Sequence, residues 1–287
     1  MIKKHKKNYN PLFLFTLIFL NSFLFFTEFA LSDCELTVAV LNIGQGDAIY
    51  IESPSRAQVL IDSGPPRKLL SELSKVMPLF DRDIDVLIAT HPDTDHIGGF
   101  SEFLENYSTQ ILIEPDIATD SKVYAKLKED LKEKNIPSVV ARKGMKINLG
   151  EGIILEILFP DRDVYEWETN TGSIVARLSF GETSFIFTGD ATKETEKIIL
   201  ENVTHSLKSD FLKIGHHGSS SSSSWEFLDA VSPTTALISV GEKNRYGHPT
   251  EEVLEELTKR GIKILRTDTN GTILIKSDGK DENVSFI

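Results

Sequence analysis

Apolar positions follow two rhythms from Leu36 onward. Short β-rich runs closed by turn residues alternate with stretches of helical spacing. In the first half the strand-like runs are "LTVAVLNI" (Leu36–Ile43), "AIYIE", "AQVLID", "DVLIAT" (Asp85–Thr90), "QILIE" and "PSVVAR". Between them "RKLLSELSKVM" has helical spacing and stops at Pro78. "GGFSEFLENY" reads as a helix opening directly after a histidine-rich loop, and "SKVYAKLKEDLKEKN" as a charged amphipathic helix. The second half repeats the alternation. "GIILEILFP", "GSIVARLSF", "TSFIFTGD", "DFLKIGHHG", "TTALISVG", "KILRT" and "TILIKS" read as strands, whereas "TKETEKIILEN", "WEFLDAV" and "TEEVLEELTKRG" read as helices. Hairpin and helical connections mixed on this scale imply sheet layers with helices outside. No fixed-period repeat and no long interior linker interrupts the pattern, so a single domain is expected over residues 33–287.

The N-terminus breaks this rhythm. "MIKKHKKNYN" is basic, "PLFLFTLIFLNSFLFF" (Pro11–Phe26) is apolar, and Ala30 and Ser32 are small residues three and one before a junction. Residues 1–32 therefore read as a signal peptide cut after Ser32, or as an uncleaved N-terminal membrane anchor. Either way the rest of the chain is expected outside the cytoplasm, secreted or anchored, with membrane contact only through this segment. Cys34 stands alone, so no disulfide closes within the chain, and metal ligation would fall to His, Asp and Glu.

Composition narrows the function. The 287 residues are 40% hydrophobic and 26% charged, an ordinary globular balance, and the formal net charge is -12. Tight nonspecific nucleic-acid binding rests on a basic face, which this balance does not provide, although a local basic or metal-charged cleft remains open.

The chemistry gathers in turns after apolar runs. Of seven histidines, His91, His96, His216, His217 and His248 all sit there, as does Asp190 at the end of "SFIFTGD". "ATHPDTDHIGG" packs His91, Asp93, Asp95 and His96 into six residues. In an extended turn, alternate residues can converge on one cation while their neighbours face another. A solvated polar turn and a fragment of a calcium loop are the alternatives, but the later carboxylates of a calcium loop are missing. Imidazole and carboxylate from several strand ends can build a di-metal centre.

"THPDTDHIGG", "FTGD", "LKIGHHGS" and "SVGEKNRYGHP", in this order, resemble the metallo-β-lactamase superfamily. More narrowly, with "LNIGQGDAIYI", "LIDSG" and "ILRTDTNGTILI", they are similar to the C-terminal metallo-hydrolase domain of ComEC-type DNA-uptake channels. The resemblance runs from about Leu36 to Ile275, without a multi-helix channel. It implies an αββα sandwich with a metal site at the sheet rim. It also implies two divalent ions, zinc or manganese, with His91, Asp93, Asp95, His96, Asp190 and His248 as ligands. Which of His216 and His217 faces the metal stays open. Other superfamily members carry a further histidine about twenty residues before the bridging acid, where this chain has "ETNTGSIV" with Asn170 and Ser173.

Asp93, Asp95 and Asp190 would set three negative charges against four positive ones, leaving a slightly cationic site suited to a phosphodiester. Asp93 in place of the usual histidine leans the site toward manganese or magnesium. Asp95, His216 or His217, and Lys213 are the catalytic candidates, with an imidazole protonating the leaving group. Lys213, Lys243 and Arg245 are candidate phosphate contacts, and Asp47 and Asp62 either support the ligands from behind or simply shape turns. The serine run after His217 is expected to cap a helix near Trp225 and to form a mobile rim. The expected function is an exported metal-dependent hydrolase, a phosphodiesterase or nuclease acting on DNA or nucleotides. The alternatives are a hydrolase of another small ester or lactone, or a non-catalytic accessory of a surface DNA-uptake system. No protein partner is identifiable.

Overall fold

The computed structural model describes residues 35–287, together with Phe13, Phe15, Thr16, Phe19 and Leu20. The chain divides into two units, Met1–Cys34 and Glu35–Ile287. The signal-or-anchor reading of residues 1–32, cleavage after Ser32 and the environment of Cys34 lie outside the described residues. Among the described residues, no helix is long and apolar enough to cross a membrane.

The second unit is built on two sheets. The first takes β1 (Leu36–Val40), β2 (Ile49–Glu52), β3 (Gln58–Ile61), β4 (Asp83–Ile88), β5 (Ser108–Glu114) and β6 (Ser138–Val140). The second takes β7 (Lys146–Asn148), β8 (Ile154–Phe159), β9 (Val175–Phe180), β10 (Thr183–Phe187), β11 (Phe211–Lys213), β12 (Thr235–Ile238) and β13 (Lys263–Arg266). The chain then returns to the first sheet with β14 (Ile273–Ser277) and β15 (Glu282–Phe286). The strand orders are β15-β14-β1-β2-β3-β4-β5-β6 and β13-β12-β11-β10-β9-β8-β7.

Both faces of the central strands are apolar, and the two-residue period of a strand sends alternate side chains to different cores. Val38 and Val40 join Val59, Ile61, Leu155, Ile157, Phe185, Phe187 and Phe211 between the sheets. Ala39 and Leu60 face outward and pack with Phe100, Phe103, Leu127 and Leu131 of two helices, Phe100–Asn106 and Lys122–Glu133. On the other side Ile186, Leu212, Ala236 and Ile238 pack with Ile199, Phe227, Leu228 and Leu257, from helices Lys193–Asn202, Trp225–Val231 and Glu251–Lys259. Helix, sheet, sheet, helix is the order of layers, the αββα sandwich that the resemblance implies.

Strand direction positions the site. β3 through β6 pair parallel in the first sheet, and β10 through β13 pair parallel in the second. The turns after β3, β4, β10, β11 and β12 carry Asp62, His91, Asp190, His216–His217 and His248. Ligands at the carboxyl ends of parallel strands are where open sheets of this kind place their sites.

Three local expectations change. The histidine loop is not extended throughout: Asp93 is extended, but Thr94–Ile97 form a short helix before Phe100–Asn106 begins. The stretch "RKLLSELSKVM" is helical only over Leu69–Leu73, because turns close it before Pro78. The serine run is not a loose rim. Ser224 does cap Trp225–Val231, its side chain accepting from the Phe227 amide at 3.3 Å. The turn before it is tied down, with the Ser223 and Ser224 amides donating to the buried Glu196 carboxylate at 2.6 and 2.8 Å and Ser222 donating to the Ala191 carbonyl.

Candidate metal centre

Two loop approaches make the centre, and each needs a glycine. Gly46, at φ +124°, lies so close to the histidine loop that an added Cβ would sit 2.0 Å from the Asp95 carbonyl oxygen. Gly189, at φ +51°, lets the turn after β10 pass within reach of Thr90, where an added Cβ would meet the threonine at 2.8 Å. The loops "GQGD", "THPDTDH" and "TGD" are thereby brought to one rim.

The ligand candidates are held from behind. Thr90 donates its amide and its hydroxyl to the two oxygens of Asp62, each at 2.7 Å, and the His96 Nδ1 lies 2.8 Å from Asp62 Oδ2. That contact turns His96 Nε2 toward Asp190. His91 is fully buried, with Nδ1 3.0 Å from the Thr90 hydroxyl. His216 and His217 are consecutive residues in left-handed backbone, φ 47° and 55°, which non-glycine residues rarely adopt and which functional sites often hold. The kink sends the two rings in different directions, 68° apart. His217 donates Nδ1–H to the Ser239 carbonyl at 2.9 Å and aims a buried Nε2 at Asp190 and Asp95. His216 stays at the surface, with Nδ1 3.0 Å from the Ser221 hydroxyl and Nε2 3.8 Å from Asp190 Oδ2.

Asp190 stands between the imidazoles. Its Oδ1 is 3.4 Å from His96 Nε2, and its Oδ2 is 3.5 Å from His217 Nε2 and 4.0 Å from His91 Nε2. Donor atoms of His91, His96 and Asp190 lie within 4.8 Å of one another, as do those of Asp95, His96 and His217. His91 Nε2, His96 Nε2, His217 Nε2, His248 Nδ1 and Asp190 Oδ1 are all buried without a hydrogen-bond partner. Buried polar atoms are otherwise almost always paired. Lone-pair donors of nitrogen and oxygen type, converging and unsatisfied, fit divalent cations.

The electrostatics point the same way. Burial alone would raise the Asp190 pKa, but His217, His96 and His91 hold it well below the usual range. Burial would lower His96, yet Asp190 and Asp62 raise it well above its ordinary value. Burial likewise opposes His217, which Asp190, Asp47 and Asp95 push up to about 9. His91 falls to about 3, through burial first and the neighbouring His96 second. Without a cation, then, the site draws protons onto His96 and His217.

Asp93 sits at the open side, its Oδ2 3.8 Å from His91 Nε2, and burial raises its pKa. His248 closes the far side, its ring 5.5 Å from that of His216, with a pKa lowered by burial and then by His216. Asn170 and Ser173 occupy a segment laid against the histidine loop by the bond from the Ile174 amide to the Thr90 carbonyl, and Asn170 Oδ1 and Ser173 Oγ are buried without partners. Lys243 and Arg245 are exposed on the rim beside Asp95.

Lys213 is placed differently from its sequence reading. It is fully buried beneath the centre, with Nζ 2.7 Å from Asp47 Oδ2 and donating to the Ile214 carbonyl. A phosphate contact is ruled out by that position. Burial would raise the Asp47 pKa, but Lys213 and then His217 bring it below its ordinary value. Glu196 is the residue the sequence does not reveal. Its buried carboxylate, whose pKa burial raises, anchors the serine turn, and nothing in a helix reading "TKETEKIILEN" distinguishes it from its exposed neighbours.

A family model described as the Metallo-beta-lactamase superfamily matches residues 41–242. "ComE operon protein 3" of Bacillus subtilis (strain 168) is 34% identical over 253 residues, which cover 82% of this chain and 32% of that protein. "Competence protein ComA" of Neisseria gonorrhoeae is 29% identical over 261 residues, 89% of this chain and 34% of that protein. The chain thus spans about a third of the length of these curated relatives. Among solved structures, the metallo-beta-lactamase fold protein YhfI from Bacillus subtilis superposes with a TM-score of 0.59 at 14% identity, covering 85% of this chain and all of that one, a likeness of fold.

Proposed function

The chain belongs to the metallo-beta-lactamase superfamily, and on that premise we propose that it is a metal-dependent phosphodiesterase or nuclease acting on DNA or nucleotides. The observation that carries this reading is the set of unpaired imidazole nitrogens gathered around the Asp190 carboxylate. His91, His96 and Asp190 would hold one cation, and Asp95 and His217 with Asp190 a second. Bound divalent cations would acidify a coordinated water and offset the charge of substrate oxygens. The protein's own groups do the rest. Asp62, Thr90 and Ser239 fix the imidazoles by hydrogen bonds. His216, at the surface with Nε2 facing the site, is placed to give a proton to a leaving group. The resemblance of its motifs to those of DNA-uptake channels favours DNA as the polymer. The lysine-flanked apolar segment of residues 1–32 supports export of the domain.

The test is metal analysis of the full chain, with hydrolysis of bis(p-nitrophenyl) phosphate and of single- and double-stranded DNA under added manganese or zinc. Metal-dependent turnover of at least one phosphodiester is expected. Activity confined to carboxylic esters or lactones, or absent throughout, sinks the proposal. Metal choice has its own variant. Asp93→His exchanges an anionic oxygen for a neutral nitrogen and is expected to move preference from manganese toward zinc. Equal preference in parent and variant would show that Asp93 does not ligate.

A further inference from the structure

A groove of about 550 Å³ opens immediately beside Asp95. Its charged side chains are Lys68, Lys243 and Arg245 against Asp95 alone, on a chain whose net charge is -12. Lys68 comes from the turn after β3 and the other two from the turn after β12, so segments following strands of both sheets line it. Ile43 forms part of the floor, and Tyr246 is more than half exposed at the edge. The tyrosine ring is not free to wander. It stacks on the His248 ring at 5.9 Å and 15°, and the Arg245 guanidinium lies 5.1 Å from its centroid, donating to the hydroxyl at 3.1 Å. A flat ring, backed by His248 and touched by Arg245, thus lines the same groove as Asp95.

We propose that this groove is a strand-binding subsite: Tyr246 stacks one unpaired nucleobase, while Lys68, Lys243 and Arg245 hold the phosphates next to the one being cut. The proposal rests on the phosphodiesterase reading above and adds its specificity. Base stacking on an aromatic ring with cations along the backbone is how single strands are held without sequence preference. A single exposed ring suits one splayed strand; a paired duplex keeps its bases stacked on each other and offers none to Tyr246. Three cations in one groove also reconcile a polyanionic substrate with an acidic protein.

The experiment is fluorescence anisotropy of the full chain with an end-labelled phosphorothioate single strand, which resists cleavage. Tyr246→Ala is expected to weaken binding about tenfold. Tyr246→Phe, which keeps the ring, should bind as the parent does, and this separates stacking from a general loss of fold. The triple variant Lys68→Gln, Lys243→Gln, Arg245→Gln should flatten the dependence of log Kd on log salt by about 2. Parental affinity in Tyr246→Ala, or a parental salt slope in the triple variant, overturns the subsite. Hydrolysis of bis(p-nitrophenyl) phosphate keeps the two readings apart. If the chain hydrolyses it while the groove variants bind the strand normally, the subsite fails and the phosphodiesterase stands. If no phosphodiester is cut but the groove variants still lose the strand, the subsite stands without the enzyme.

Discussion

Asp190→Ala is expected to lower kcat/KM on any phosphodiester substrate by about a thousandfold or more, the equivalent of about 4 kcal/mol of transition-state stabilisation. Bound metal should fall at the same time. The reasoning is geometric. Among the described residues, no other carboxylate lies between the imidazoles with one oxygen toward His96 and the other toward His217, His216 and His91. Without it the cations would lose their shared anionic ligand, and His96 and His217 would lose the largest influence raising their pKa values. Asp190→Asn serves as the companion, because it keeps the shape and removes the charge. Metal content by mass spectrometry and circular dichroism separate loss of ligation from loss of fold. A folded Asp190→Ala chain with parental turnover would refute metal-dependent hydrolysis at this site.

The candidate ligand positions are legible in the sequence because each follows an apolar run that reads as a buried strand. "DVLIAT", "SFIFTGD" and "DFLKIGHHG" are dominated by apolar residues, so the polar residues that follow them are expected at a rim. Their convergence was not legible from periodicity, since it depends on two sheets facing each other. Only the order of the motifs, through the resemblance they carry, supplied that. The short helix Thr94–Ile97 escaped because four residues cannot display a helical period. β7 and β15 escaped for a related reason: both are edge strands with mostly exposed side chains, so "KIN" and "ENVSF" lack the apolar signature by which a strand is read. The serine run misled in the opposite direction. Its composition is that of a flexible linker, but Ser223 and Ser224 are hydrogen-bonded to Glu196, 27 and 28 positions away. Lys213 misled by adjacency. One residue separates it from Gly215 and the histidines, but β11 alternates its side chains, and Lys213 points inward to Asp47.

That burial makes Lys213 the source of a large effect of a different kind. Lys213→Met should cost about 3–5 kcal/mol of stability, the usual consequence of leaving a buried charge without its partner. Asp47, 1% exposed, would be the stranded group, left with the partial help of His217 at 3.4 Å. The double variant Asp47→Leu, Lys213→Met should recover most of the loss, because a buried ion pair is often replaceable by apolar side chains of similar volume. The pH dependence follows from the sign of the shift. In the parent Lys213 keeps the folded-state pKa of Asp47 below its unfolded value, so the pair adds stability above the ordinary Asp range and loses it as pH falls. In Lys213→Met burial prevails, the folded-state pKa moves above the unfolded one, and the variant is penalised increasingly as pH rises. The gap between parent and variant should therefore be widest at neutral pH and narrow as pH falls toward about 4. Urea unfolding across that range measures it. A variant as stable as the parent, but with a raised KM for phosphodiesters, would mean that Lys213 reaches substrate after all and that its ion pair with Asp47 does not hold the rim together.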